Sequence, residues 1–430
     1  MRPASQRLAA VDEANLVLDH AGQVNVFLVA GLLSPGGFVG PDGAPDLAAL
    51  RSALGERITG LPPLRTVPCA TGRGHRWEEA SPDLGYHVRL VSRVGGLVGL
   101  ERLCAELMTT PLPLDRPLWE ILVVPGAGPG RTGVVLRIHH AVADGTAAVT
   151  IARTLFDPPE PEPAMVPTAT WAPTVPRPRP GAEPRPRRDL RRPLHRLGYA
   201  MRRIRKTLTG RELGSTVLLG ERSPRRGVAF VDVDLAVLEA RVRPLGATVN
   251  DALLASVASG YRAALPAAGE QIPARLPVSV PVALQRHGTS GNQVGVMLVR
   301  LPLDVPAPGD RLRLIAEQTR AEKVRAREQG TLEFMRGPLG ARIMDRVARR
   351  QHLVGGFVTN VPGPAGRLRL AGAPVTAIWP VAVLAANVRL GVAAVSYAGR
   401  LSCSVHFDAA NVPGAAFARA MSEELAHLTA

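Results

Sequence analysis

"RIHHAVADGTAAV", residues 137–149, joins the end of an apolar run to the start of an amphipathic one. The preceding "GVVLRI" reads as a buried strand that ends at His139 and His140. "DGTAAVTIARTLF" reads as a helix starting near Asp144, with Ala148, Ile151, Ala152 and Leu155 on its inner face. The histidines therefore fall on a strand-to-helix turn, the place where α/β sheets expose side chains to ligands. Adjacent residues on an extended backbone point to opposite sides, so one histidine faces a substrate while the other packs. Imidazole is the usual protein base near neutral pH and needs a fixed tautomer, set by a hydrogen bond to its other nitrogen. Asp144 can cap the following helix, orient an imidazole or pair with an arginine. Gly145 allows a close approach or an unusual backbone angle. The same residues also suit an ordinary turn with packed histidines and a helix cap. A zinc site is not expected, because HExxH spacing is missing and no nearby cysteine or third histidine completes a ligand set.

Outward from this turn, "GQVNVFLVAGLL" reads as a strand, and "LVGLERLCAELM" puts Leu100, Leu103, Cys104 and Leu107 on one helical face. Residues 157–193 are too rich in proline for helix or sheet and read as an extended linker. They divide the chain into an N-terminal domain, 1–156, and a C-terminal domain, 194–430. Just past the linker, Leu194, Leu197, Met201, Ile204 and Leu208 recur at helical spacing, with Arg196, Arg202, Arg203, Arg205 and Lys206 between them. That is the pattern of a basic amphipathic helix. In "ATVNDALLASVASGYRAAL" a helix starts at Thr248, with Asp251 placed for a capping box and Leu253, Leu254, Val257 and Tyr261 on one stripe. Strands follow at "RLPVSVPVAL", "NQVGVMLVRLPL", "GGFVTNV", "NVRLGVAAVSYA" and "RLSCSVHFD", with helical patterns at 309–328 and after Pro413. Both halves mix strands and helices, which favours α/β sheets layered with helices.

At 430 residues the chain exceeds the usual size of one core, and 46% hydrophobic with 20% charged residues is a globular composition. A net charge of +16 attracts anions: a membrane surface, a phosphate-bearing substrate or nucleic acid. Aromatics at 4% argue against nucleic acid, because single-strand binders stack bases on aromatic rings. Cys69, Cys104 and Cys403 are far apart and lack C-x-x-C spacing, which fits a reducing compartment rather than a disulfide framework. The N-terminus has no continuous apolar core of a signal peptide, and the most apolar stretch, 377–388, is too short to cross a bilayer. A cytoplasmic protein, soluble or peripheral to a membrane, is expected.

"HHAVADG" resembles the HHxxxDG motif of the CoA-dependent acyltransferase superfamily, which includes chloramphenicol acetyltransferase, peptide-synthetase condensation domains and bacterial wax ester synthase/diacylglycerol acyltransferases. "PLDRPLWE", with Pro117, Leu118 and Trp119, is similar to the PLW motif of the last group. "VNDALLA", with Asn250 and Asp251, is similar to its ND motif, and "VTNVPGP", with Asn360, to its SNVPGP motif. Thr359 stands where that family usually has serine, and residues 379–399 vary a region where it often reads GMGLNI.

The resemblance implies two chloramphenicol-acetyltransferase-like α/β domains with mixed sheets and an active-site tunnel at their interface. It implies acyl-CoA as cosubstrate, no bound cofactor, no metal, and a diacylglycerol or long-chain alcohol as acceptor. It further implies that His140 is the general base, that His139 packs inward, and that Asp144 fixes the loop by pairing with an arginine. Asn250 then either donates to the developing oxyanion or caps its helix. Leu118 and Trp119 line or support an acyl channel, and Asn360 orders a turn with Pro362 and Gly363. Acyl-CoA and a lipid alcohol are the expected partners, with peripheral membrane or lipid-droplet association through helix 194–208 and no nucleic acid. Two alternatives remain: a natural-product O- or N-acyltransferase with a polar acceptor, and a noncatalytic lipid-binding homologue. Against the latter, binding alone needs no base.

Overall fold

Apolar strands, several of them buried on both faces, build two six-stranded sheets, seen in a computed structural model that describes residues 6–19, 22–72, 74–143, 145–157, 212–283, 294–329, 338–364 and 366–430. The expected linker, apart from Asp157, and the expected basic helix at 194–208 lie outside the described residues.

The N-terminal half opens with β1 (Gln6–Arg7), α1 (Ala10–Val17), β2 (Val26–Leu33) and α2 (Leu47–Ile58). β3 (Thr66–Thr71), β4 (Gly74–Glu79), α3 (Leu84–His87), β5 (Val88–Leu90) and α4 (Gly96–Leu107) follow. It closes with β6 (Trp119–Gly128), β7 (Arg131–His139) and α5 (Gly145–Leu155). The C-terminal half contains β8 (Arg226–Asp234), α6 (Leu235–Val242), α7 (Val249–Ala267), β9 (Arg275–Ala283), β10 (Val294–Pro302) and α8 (Pro308–Gln329). Then come α9 (Pro338–Ala348), β11 (Gly356–Pro362), β12 (Arg369–Leu370), β13 (Ala373–Val381), β14 (Leu390–Tyr397), β15 (Arg400–Asp408) and α10 (Gly414–Thr429).

The first sheet has the order β12-β13-β2-β7-β6-β5 and the second β10-β9-β11-β14-β15-β8, while β1, β4 and β3 form a small separate sheet. Both large sheets are mixed: β5 runs parallel to β6, and β11 runs parallel to β14 and β9. β12 and β13 come from the C-terminal half of the chain yet extend the first sheet, with Trp379 opposite Ala30 and Pro380 opposite Val29 on β2. Pro380 cannot donate to a ladder, and it falls where β13 has only β2 beside it. The two sheets are thus tied by the chain itself.

The interface is held by specific contacts as well. The Trp379 indole stacks on Phe230 with centroids 4.6 Å apart, and its Nε1–H donates to Asp232 Oδ2 at 2.9 Å. α7 carries one stripe by sequence, but Ala252 to Ala258 are all buried because α6, α8 and α10 pack along it as well as β10 of the second sheet. Gly260 permits the contact: a Cβ there would come within 2.8 Å of the Phe417 ring.

Candidate active site

Strand alternation sorts the residues of β7. Val134 and Leu136 line a cavity between the two sheets, while Arg137 and His139 project from the opposite face. His140, one residue past the strand, returns to the cavity side and lines it. The cavity measures about 430 Å³. Phe27 and Val29 of β2, Ile378 of β13, Thr359 and Val361 of β11 and Val395 of β14 contribute to walls that are almost wholly apolar. Such a space suits a hydrocarbon chain, with few polar groups to orient a reacting end. His140, Thr359 and Arg153 of α5 are polar side chains on its wall.

His140 is half-buried and its ring meets Phe27 edge-on, centroids 5.3 Å apart. His139 is fully buried and differently engaged. Its Nδ1 accepts the Ala141 backbone N–H at 2.9 Å, which leaves the ring proton on Nε2, 3.2 Å from Asp19 Oδ2. The two histidines thus divide as opposite faces of an extended chain require. Asp144 lies outside the described residues, and Gly145 opens α5.

The other residues singled out by sequence are dispersed. Pro117, Leu118 and Trp119 are buried beneath the site and do not line the cavity. Trp119 donates from Nε1 to the Leu64 carbonyl at 2.9 Å and stacks on His87 with centroids 4.5 Å apart. Burial pushes the His87 imidazole below its ordinary pKa, although its Nδ1 donates to the Trp119 carbonyl at 2.7 Å. Asn250 is half-buried near the start of α7 and away from the cavity wall. The cap at this helix start is made by its neighbours. Thr248 Oγ1 accepts the Asp251 N–H, Asp251 Oδ2 accepts the Thr248 N–H at 2.8 Å, and Asp251 Oδ1 accepts the Thr319 hydroxyl at 2.6 Å.

One expectation is corrected. Asn360 and Pro362 do not form a turn but continue β11, with Asn360 opposite Ala394 and Pro362 opposite Ser396 of β14. Alternation then puts Thr359 and Val361 on the cavity, so the position where serine is usual lies on its wall.

Sequence reading missed a buried ion pair beside the site. Glu120, the last residue of "PLWE", pairs with Arg137 across β6 and β7, and Arg89 reaches its other oxygen at 2.8 Å. Arg137 also donates to the carbonyls of Leu107 and Thr110, while burial lowers its guanidinium pKa against the pull of Glu120. A Glu-to-Arg separation of 17 positions is invisible until the two strands pair in register. Among the described residues no group of three His, Cys, Asp or Glu side chains is placed to hold a metal, and no helix is long and apolar enough to cross a membrane.

Residues 8–253 match the family model of the wax ester synthase/diacylglycerol acyltransferase catalytic domain, and residues 290–429 that of the WS/DGAT C-terminal domain. A Mycobacterium tuberculosis protein named a putative diacylglycerol O-acyltransferase is 31% identical over 85% of this chain and 83% of its own. Another from that species, named a probable diacylglycerol O-acyltransferase, is 29% identical over 90% of this chain and 89% of its own. Among solved structures, the wax ester synthase/diacylglycerol acyltransferase of Marinobacter aquaeolei VT8 superposes with a TM-score of 0.72 at 21% identity, covering 98% of both chains. The first condensation domain of the CDA synthetase superposes with a TM-score of 0.60 at 18% identity, over 100% of this chain and 98% of the other. At such identities the likeness carries the fold, two chloramphenicol-acetyltransferase-like halves.

Proposed function

The chain belongs to the wax ester synthase/diacylglycerol acyltransferase family and is an acyl-CoA-dependent acyltransferase; from that premise we propose that it esterifies a lipid alcohol, diacylglycerol or a long-chain alcohol, with His140 as general base. The observation that carries this reading is the His140 ring on the wall of an apolar cavity between the sheets, while the His139 ring is committed to Asp19 and Ala141.

In this mechanism His140 removes the proton of the acceptor hydroxyl as its oxygen attacks the thioester carbonyl. The tetrahedral intermediate collapses, the C–S bond breaks, and the departing CoA sulfur takes the proton back from the imidazolium. The base ends as it began, with no covalent enzyme intermediate. A positioned imidazole supplies about 10²–10⁴-fold, and the remainder comes from bringing thioester and hydroxyl together in a dry space. The names of the mycobacterial relatives support diacylglycerol as acceptor, and the hydrocarbon-lined cavity supports a lipid over a polar one. Asp144 is assigned the loop-fixing role by its place in HHxxxDG. The +16 charge and the basic segment 194–208 support peripheral contact with anionic lipid, testable by vesicle sedimentation before and after neutralising its arginines.

The test is acyl transfer from labelled long-chain acyl-CoA to a panel of diacylglycerol, hexadecanol, a polar alcohol and a polar amine. The expected result is ester formation with the lipid acceptors and a loss of about 10²-fold or more in His140→Ala. Equal transfer by His140→Ala, or preference for the polar acceptors, overturns the reading.

A further inference from the structure

We infer that Asn15, Asp19 and Asn25, on and just after α1, form a clamp that sets the position of His140 in the cavity wall. The inference rests on His140 being the base. None of the three side chains lines the cavity, so they are positioning residues rather than catalytic ones.

The main chain around His140 leaves the β7 ladder at His139, and its polar groups need partners elsewhere. The His140 N–H donates to the Asn25 carbonyl at 3.0 Å. The His140 carbonyl accepts from Asn15 Nδ2 at 3.1 Å. The next N–H, that of Ala141, donates to His139 Nδ1 at 2.9 Å.

These holding groups are themselves tied together. Asn25 Nδ2 donates to the Asn15 carbonyl at 2.8 Å, and the Asn25 N–H donates to Asp19 Oδ1 at 2.9 Å. The other Asp19 oxygen faces His139 Nε2 at 3.2 Å. One carboxylate therefore anchors both branches, through Asn25 to the peptide before His140 and through His139 to the peptide after it. The Asp19 side chain is 9% exposed and Asn25 6%, so water competes poorly for these bonds.

Asp19 also chooses the tautomer of His139. A carboxylate only accepts, so Nε2 keeps its hydrogen and Nδ1 is left to receive Ala141. With an amide at position 19 that preference goes, and a hydrogen on Nδ1 would oppose the Ala141 N–H. The turn would then shift, and a base misplaced by about 1 Å loses about 10²-fold in rate. Binding of acyl-CoA in the cavity would be spared.

The experiment compares full-length wild type with Asp19→Asn, Asn15→Asp and His140→Ala, measuring kcat, KM for acyl-CoA and thermal unfolding. Asn15→Asp keeps the volume of the side chain but sets an acceptor against the His140 carbonyl. The expected result is a kcat lower by roughly tenfold to a hundredfold in the first two, with KM within about twofold and melting retained. Asp19→Glu, which keeps the carboxylate, recovers part of kcat. The double variant Asp19→Asn with His139→Ala loses no more than about twofold beyond the worse single one, because both act through one clamp. If Asp19→Asn fails to fold, Asn15→Asp, at a half-buried position, carries the test. Wild-type kcat in either folded variant beside an inactive His140→Ala overturns the clamp alone. Wild-type kcat in His140→Ala overturns the base assignment beneath it.

Discussion

Acid should loosen the junction between the two sheets at His406, and the size of the effect follows from its surroundings. His406 lies on β15 at 2% exposure, and its Nδ1–H donates to the Ala382 carbonyl at 2.8 Å. Burial pushes its imidazole from the ordinary value near 6.5 down to about 4, with Arg226 and Arg222 adding to the effect and the Ala382 carbonyl opposing it. In the unfolded chain this histidine takes up its proton near pH 6.5, but in the folded chain only near pH 4. Between those values the unfolded state binds more protons, so stability falls as pH falls and is whole above pH 6.5. At about 1.4 kcal/mol for each pH unit, the gap corresponds to roughly 3 kcal/mol, an order-of-magnitude figure. His406→Asn keeps a donor for the Ala382 carbonyl and removes the titration. Urea unfolding at pH 7, 6, 5 and 4, at constant ionic strength, should show wild type losing about 3 kcal/mol more than the variant. Parallel pH dependences for the two proteins would refute the reasoning, because every other titrating group is common to both.

Three further outcomes follow from the packing. Glu120→Gln leaves the buried Arg137 guanidinium without its counter-charge and should cost about 3–5 kcal/mol in denaturant unfolding; a loss under about 1 kcal/mol would show that the carbonyls of Leu107 and Thr110 suffice. Gly363→Ala would set a Cβ 2.2 Å from the Ser396 carbonyl oxygen, so a destabilisation of about 1–3 kcal/mol is expected, and an unchanged melting temperature would contradict the close strand approach. Ala152→Phe, on the cavity wall, should lower kcat/KM for a long-chain acceptor at least about tenfold more than for a short one; equal losses would mean that the hydrocarbon chain lies elsewhere.

Much was determined by the amino-acid sequence because local rules act within a few residues. Short apolar runs bounded by turn residues marked β2, β7, β9, β10, β11, β14 and β15, the Thr248–Asp251 pair marked the start of α7, and alternation alone required His139 and His140 to face apart. The identity of the reaction was legible as well, since the HHxxxDG, PLW, ND and SNVPGP resemblances fall in order along one chain. What tertiary structure decided were relations between distant segments. β13 reads as an apolar run that could pair anywhere, and only the fold adds it to β2 and so builds the cavity from both halves. Glu120 finds Arg137, and Asp19 finds His139 across 120 positions, through strand register and helix placement that no local pattern encodes. Within "VTNVPGP" the turn is expected at Asn360, Pro362 and Gly363, because proline and glycine usually end strands. The strand continues to Pro362 instead, because Asn360 and Pro362 fall opposite β14, whose close approach favours a glycine at 363.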